Sequence, residues 1–351
     1  MNSISPNESS FQQAISHAQQ GHDLTEEQTS DLIDAMLQGA ADEQQVADLL
    51  LALKAKGEAV SELVGAARAM RRHMTRIPHH HALLLDTCGT GGSGSNKFNV
   101  STASAFVAAG AGIKVAKHGN RAASGKSGSA DVLESAGVYL NLTPSQVAQC
   151  IDVVGLGFLF AVNHHGAMRH AIGPRKELQF RTVFNLLGPL TNPAGAENQV
   201  LGVFDRAWVR PMAEVLKKLG SQRVLVVHSE DGLDEISIAA PTRVAELVNG
   251  EISEYEIRPE DFGMKSQTWA GLTVQDSKES LTLVKAALSG EHDLASQFVT
   301  LNAGAAIYVG GGSQTLSGGI ALAEDVIASG AATEKLRFLV EFSQQLGALS
   351  S

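Results

Sequence analysis

Two stretches of this chain pair bare backbone with cations, a combination suited to holding anions. In "DTCGTGGSGSNKFNVSTASAF", from Asp86 to Phe106, the glycines Gly89, Gly91, Gly92 and Gly94 separate an apolar run from an alanine-rich one. Glycines let backbone N–H groups approach phosphate oxygens with no Cβ in the way, and a helix N-terminus adds unpaired donors and a favourable dipole. Leu83 to Asp86 reads as the strand before the loop, and Asn99 or Ser101 as the start of the helix after it. Neither familiar nucleotide fingerprint is present: GxGxxG lacks its spacing and its ribose-binding acid about 20 residues on, and the Walker pattern is absent. Alone, such a loop also reads as a tight structural turn.

The second stretch changes that balance. "KHGNRAASGKSGSADVLESAG" follows the short apolar run "IKVA" and again runs strand, Gly/Ser loop, helix, with Lys117, His118, Arg121 and Lys126 as cations. Two anion-suited loops at the ends of successive strands point to a ligand with more than one phosphate. A third cluster, "HSEDGLDEIS", puts Asp234 and Glu235 after the strand "RVLVVHS", with Asp231 close by. Adjacent carboxylates beside a phosphate site repel the ligand unless a hard cation such as Mg²⁺ lies between them; alone, an acidic turn is a solvated loop.

The elements that must position these residues fall into two kinds. Up to about residue 75 the pattern is helical: Val46, Leu49, Leu50 and Leu53 share one face, with Gly57 as a stop. Thr25 and Gln28 form a capping box ahead of Leu32, Ile33, Met36 and Leu37. Pro78 and His79 to His81 then break the pattern and read as a solvated linker. Beyond it, "FLFA" at 158–161, "QVLGVFD" at 199–205 and "RVLVVHS" at 223–229 alternate with amphipathic stretches. In "TPSQVAQCIDVVG", Thr143 caps, Pro144 takes the first helical position and Gln146 completes the box. Such alternation implies an α/β domain with a mostly parallel sheet. Helices close the chain from about 277 onward. His164, His165 and His170 read as polar channel-lining groups, and residues 188–193 as a rigid turn holding the two parts together across the cleft.

Composition narrows the function classes. Of 351 residues, 44% are hydrophobic and 18% charged, with 27 Lys and Arg against 37 Asp and Glu, a formal net charge of −10. That balance repels a nucleic-acid backbone or an anionic membrane surface, and the basic residues do not cluster. Cys88 and Cys150 have no metal-like spacing and read as free buried thiols. No signal-peptide core or membrane-length apolar run is present, so a cytoplasmic location is expected.

Taken in order, "GTGG" at 89–92, "FNVSTASAFVAAGAG" at 98–112, "KHGNRAASGKSGSADVLE" at 117–134, "RTVFNLLGPLTNP" at 181–193 and "GLDEIS" at 232–237 resemble the anthranilate phosphoribosyltransferase family over nearly the whole chain. The resemblance implies a nucleoside phosphorylase-type fold: a small all-helical domain, 1–77, joined in space by helices from about 165–190, and a larger α/β domain, 78–351. It also implies a homodimer formed through the helical part, with small-molecule substrates. In the first loop, Gly89, Gly92, Ser93, Lys97, Asn99, Val100, Ser101 and Thr102 would meet phosphoribosyl pyrophosphate. In the second, Lys117, His118, Gly119, Asn120, Arg121, Ala122, Ala123, Ser124, Gly125 and Ser129 would do so. Ser101, Asp234 and Glu235 would hold Mg²⁺. Gly89, His118, Asn120 and Arg175 would meet anthranilate, the guanidinium suiting its carboxylate. The leaving pyrophosphate would be stabilised by Lys117 and the metal. No residue is assigned as a general base, since the aniline nitrogen is neutral at pH 7.

The chain departs from the family pattern at four places. Ser93 stands where the loop usually carries Asp. Lys97 replaces a small hydroxyl residue, its ammonium expected to meet an anion or solvent. Val162 and Gly166 replace prolines flanking the acceptor channel. Alternative readings in the same fold group are a transferase for a different aromatic amine and a pyrimidine nucleoside phosphorylase. A non-catalytic nucleic-acid-binding paralogue is a third, which the acidic charge and the retained Arg175 disfavour.

Overall fold

The computed structural model describes residues 6–91, 94–122, 125–178 and 180–349, and not the side chains of 6–9, 172 and 174–177. The chain starts with the helices α1 (Pro6–Gln19), α2 (Glu26–Leu37), α3 (Glu43–Lys56) and α4 (Val60–His73). The capping box at α2 forms as the sequence indicates: Gln28 N–H donates to Thr25 Oγ1 at 3.1 Å and Thr25 N–H to Gln28 Oε1 at 2.9 Å. α4 crosses α2 so closely that a Cβ on Gly65 would lie 2.3 Å from the Glu26 carbonyl oxygen. Only glycine permits that crossing.

Strands and helices then alternate: β1 (Leu85–Gly89), α5 (Val100–Gly110), β2 (Val115–Gly119), α6 (Ser129–Ala136), α7 (Pro144–Val153) and β3 (Leu156–Phe160). The short α8 (Ala161–His164), α9 (Arg169–Leu178) and α10 (Phe184–Leu187) lead to β4 (Asn198–Gly202), α11 (Val209–Lys218) and β5 (Arg223–Ser229). β6 (Thr242–Val248) and β7 (Glu251–Ile257) follow, then α12 (Ser277–Ser289), α13 (Asp293–Val309), α14 (Leu316–Ala328) and α15 (Ala331–Ala348). The strands form one seven-stranded sheet in the order β3-β2-β1-β4-β5-β6-β7. The first five are parallel, and β6 and β7 add an antiparallel hairpin at one edge.

The strand limits differ from the sequence reading. β1 begins at Leu85, and Leu83 is 48% exposed. Leu83 precedes the pleat and has no facing layer. The β6–β7 hairpin was not anticipated, although Asn249-Gly250 at its tip is a strong hairpin signal; both residues have positive φ, 52° and 78°. The histidine linker is partly pinned, His79 to the Ala194 carbonyl at 2.7 Å and His81 to Asp152 at 2.6 Å, while Pro78 and His80 stay exposed as expected.

Strand alternation feeds two cores. Leu225 and Val227 join the core built with α5 and α13, whereas Val224 and Val226 join the core shared with α11 and the N-terminal helices. Ala171, Phe184, Leu186 and Leu187 belong to that second core, so α9 and α10 pack with the helical bundle. The segment 188–193 straps the two layers together: Arg71 Nε donates to the Leu190 carbonyl at 2.7 Å, and Ile77 N–H to the Pro193 carbonyl at 3.0 Å.

The strap ends on a buried carboxylate. Asp86, fully buried on β1, accepts from His118 N–H at 3.1 Å and from Asn192 Nδ2 at 2.8 Å. The same Asn192 amide also donates to the Ala116 carbonyl at 2.8 Å. Burial pushes the Asp86 carboxyl above its ordinary range, while Lys117 and Asn192 oppose that rise. Removing a donor from a buried acceptor costs the desolvation of the orphaned group. Asn192→Ala is therefore expected to lower stability by about 2–3 kcal/mol, measured by urea unfolding. A loss below the error of the midpoint would show that Asp86 does not need this donor.

Candidate active site

Parallel strands place their C-terminal ends on one edge, and in open α/β sheets that edge is where ligands bind. β1 and β2 are adjacent there, and the loop after β5 lies one strand beyond β4. Thr90 crosses this gap, donating its N–H to the Gly202 carbonyl at 2.9 Å and accepting from Phe204 N–H at 3.0 Å. Glycine is required where the acidic loop meets the sheet: a Cβ on Gly202 would sit 1.8 Å from the Asp234 carbonyl oxygen, and one on Gly89 2.8 Å from Asp234 Oδ2.

Asn99 caps α5 in position but gives its side chain to neighbours. Its Oδ1 accepts from Ser280 at 2.6 Å and Ser127 at 2.8 Å, and its Nδ2 donates to the Ser127 carbonyl at 3.2 Å. The first loop, the second loop and α12 therefore meet at one amide. Val100 is buried beneath them, and Thr102 Oγ1 is buried without a hydrogen-bond partner among the described residues.

The second loop folds back on itself. A Cβ on Gly128 would lie 2.3 Å from Ala122 N, and one on Gly119 2.0 Å from Ser129 Oγ. Asp131 closes the loop, accepting from Ala122 N–H and Gly128 N–H at 2.9 Å each. Arg121 faces outward to Asp131 and Glu134, at 3.1 and 2.7 Å, so its charge is spent on α6 rather than turned to the loop's interior. Lys117 is 2% exposed and donates to the Thr87 carbonyl at 2.5 Å. Burial pulls its ammonium below the ordinary lysine range, and Asp86 opposes that shift.

Of the two expectations for Lys97, an anion or solvent, the structure shows an anion, and it belongs to the protein itself. The ammonium lies 2.6 Å from Asp234 Oδ1 and 3.9 Å from Glu235 Oε1. Burial raises the Glu235 carboxyl to about 7; Lys97 opposes the rise, Asp234 adds to it, and a hydrogen bond from the Ser101 backbone lowers it. Burial would lower the Lys97 pKa, but Asp234 and Glu235 outweigh it and the net shift is upward. Ser101, Asp234 and Glu235 are thus brought together. Among the described residues, no group of three or more His, Cys, Asp or Glu side chains is arranged to hold a metal.

Near the end of β2, His118 and His165 face each other with Nε2 atoms 3.2 Å apart, and His164 Nδ1 contacts the Thr75 carbonyl at 2.9 Å. Burial holds all three below the ordinary histidine range, His165 at about 4. His170 lies apart, against Gly39. Asn120 Oδ1 accepts from Arg121 N–H at 2.8 Å, and its carbonyl accepts from Ala130 N–H at 3.2 Å. Arg175 lies on α9, with its side chain outside the described residues; Gly92, Ser93, Ala123 and Ser124 also lie outside them. Gly125 has open space where a side chain would be. Sequence reasoning missed Asp86, Asn192, Asp131 and Ser280, polar residues whose partners are distant in the chain. Only Asp131, three residues after Gly128, carried a local capping signal.

Residues 12–74 match the glycosyl transferase family, helical bundle domain, and residues 81–333 the glycosyl transferase family, a/b domain. Fold and family match together define a two-domain glycosyl-transferring enzyme. The chain is 55% identical over 336 residues to an anthranilate phosphoribosyltransferase of Marinomonas sp. (strain MWYL1), covering 95% of this chain and 97% of that one. It is 54% identical over 325 residues to that of Ectopseudomonas mendocina, covering 92% and 93%. A solved anthranilate phosphoribosyltransferase from Thermus thermophilus superposes with a TM-score of 0.89 at 44% identity, covering 94% of this chain and 99% of that one. One from Saccharomyces cerevisiae, in complex with PRPP and Mg, does so at 0.87 and 26%, covering 96% and 99%. The chain belongs to the anthranilate phosphoribosyltransferase family.

The histidine pair gives a pH dependence with a definite sign. His165 titrates near 6.5 when unfolded and at about 4 when folded. Between those values the unfolded chain binds more protons, so the stability present above pH 6.5 is lost as pH falls toward 4. His165→Gln is expected to remove about 2–3 kcal/mol of that acid loss, read from urea midpoints across the window. Equal acid loss in both proteins would rule out His165 as the group responsible.

Proposed function

We infer that this chain transfers the 5-phosphoribosyl group of phosphoribosyl pyrophosphate to the amine of anthranilate. The products are N-(5-phosphoribosyl)anthranilate and pyrophosphate, a step of tryptophan biosynthesis. The observation that carries the reaction is identity above 50% with anthranilate phosphoribosyltransferases across more than nine-tenths of both chains. The same reading makes the protein a cytoplasmic homodimer, associated through its helical part.

The loop after β1 and the loop after β2 hold the donor, with Gly89 and Gly119 keeping their floor free of side chains. Thr102 supplies a hydroxyl at the start of α5 that has no hydrogen-bond partner among the described residues. Asp234 and Glu235 suit Mg²⁺, a hard ion held through one or two carboxylates and completed by substrate oxygens and water, with Ser101 alongside. Bound there, the ion neutralises negative charge gathering on the departing pyrophosphate. Lys117 adds positive potential from beneath β1, where its position on Thr87 keeps it out of the solvent.

The acceptor enters from the side of α9. Arg175 pairs with the anthranilate carboxylate, and Asn120 and His118 form the wall that orients the amine. The buried, neutral His118 leaves that wall without a competing positive charge. The aromatic amine attacks ribose C1 as pyrophosphate leaves, and its proton is lost afterwards to solvent, with no dedicated base.

The test is the loss of anthranilate fluorescence with phosphoribosyl pyrophosphate and Mg²⁺, with EDTA as control. Metal-dependent consumption is expected; none, with the donor still binding by calorimetry, would move the acceptor to another aromatic amine. Arg175→Ala is expected to raise the KM for anthranilate about thirtyfold while donor binding holds. Asp234→Asn with Glu235→Gln is expected to lower kcat by about a hundredfold at saturating Mg²⁺, and unchanged activity would sink the metal role.

A further inference from the structure

Lys97 sits on a bridge to Thr273 at the edge of the first loop, and its side chain reaches back into the acidic loop. The ammonium is 2.6 Å from Asp234 Oδ1 and 3.9 Å from Glu235 Oε1, and the side chains of all three residues are at most 13% exposed. A divalent ion bound through Asp234 Oδ1 would take up that oxygen at about 2.1 Å. A second cation at hydrogen-bond distance from that oxygen would then be within about 4 Å of the metal, poorly screened in so buried a site. The carboxylate pair accommodates one of the two cations at a time.

We propose that the Lys97 ammonium and the divalent ion are alternative occupants of the Asp234–Glu235 pair, so that the free enzyme takes up metal weakly and acquires it together with the donor's diphosphate. The inference rests on the reading that this pair holds Mg²⁺. Charge balance supplies the coupling. With Lys97 seated, its ammonium offsets part of the negative charge of Asp234, Glu235 and nearby Asp231, and buried Lys117 offsets more, which leaves little to strip a strongly hydrated dication of its water. A metal arriving with diphosphate brings its own anion, and the displaced ammonium faces a net negative complex rather than a bare dication. Lys97 is a positioning residue in this scheme; it sets the order in which metal and donor load and takes no part in bond making.

The test is Mn²⁺ binding followed by the electron paramagnetic resonance signal of free Mn²⁺, without substrate, on the wild type, Lys97→Ser, Lys97→Gln and Lys97→Ser with Asp234→Asn. Both single variants are expected to bind one Mn²⁺ about tenfold tighter than the wild type, with the double variant losing the gain. Inorganic diphosphate is expected to tighten Mn²⁺ binding more in the wild type than in either variant. Equal Mn²⁺ affinity in the wild type and both folded variants, at a site that Asp234→Asn removes, would overturn the role of Lys97 and leave the metal site standing. No bound Mn²⁺ in any protein, even with diphosphate, would remove the metal site itself and the inference with it. Should the variants not fold, acetic anhydride labelling of wild-type Lys97 decides: labelling is expected to rise with Mn²⁺ and diphosphate together, and unchanged labelling overturns the proposal.

Discussion

A carboxylate removed from bulk solvent depends on its donors, and Asp86 commits its donors to architecture. One oxygen takes the His118 amide of β2, the other takes the Asn192 amide of the strap, and the Lys117 ammonium lies close by. Because one donor lies on β2 just before the second loop and the other near the end of the strap, the charge ties the start of that loop to the place where the strap meets the sheet. An apolar residue at 86 would cost less to bury, but it would fix neither direction. The glycine loop after β1 therefore starts from a rigid base although it carries few side chains of its own.

The same principle runs through the acidic loop. Asp234 packs against Gly89 and Gly202, where no side chain fits, and Glu235 accepts from the backbone at the start of α5. Two carboxylates held this close to the sheet repel each other, and the protein offsets that repulsion internally through Lys97. A hydroxyl residue at 97 would remove this ammonium and leave the two carboxylates without that compensation.

The histidine cluster near the end of β2 is built differently, from buried neutral rings rather than charges. His118, His164 and His165 are anchored by packing and by carbonyls of the linker and strap, so their geometry depends on how the helical bundle docks on the sheet. Arg71 on α4 and Ile77 in the linker reach the same strap. These bonds tie the helical layer to the strap, and α9, which carries Arg175, packs with that layer.

Local signals were legible wherever one segment decides its own structure. The capping boxes at Thr25 and Thr143, the stop at Gly57, the entry of α5 at Asn99 and the alternation of strands all follow from short-range sterics and hydrogen bonding. The glycine loops and the Asp234-Glu235 pair could be read as anion and cation chemistry for the same reason, since residue type and immediate neighbours carry that information. The hairpin tip at Asn249-Gly250 was equally available and went unread. What no window of sequence contains is which distant group meets which: Asp86 with Asn192, Asn99 with Ser280, Lys97 with Asp234, Arg121 with Glu134. Those pairings are settled by the order of strands in the sheet and the crossing of helices over it, and they decide whether a cation faces the ligand or neutralises the protein's own charge.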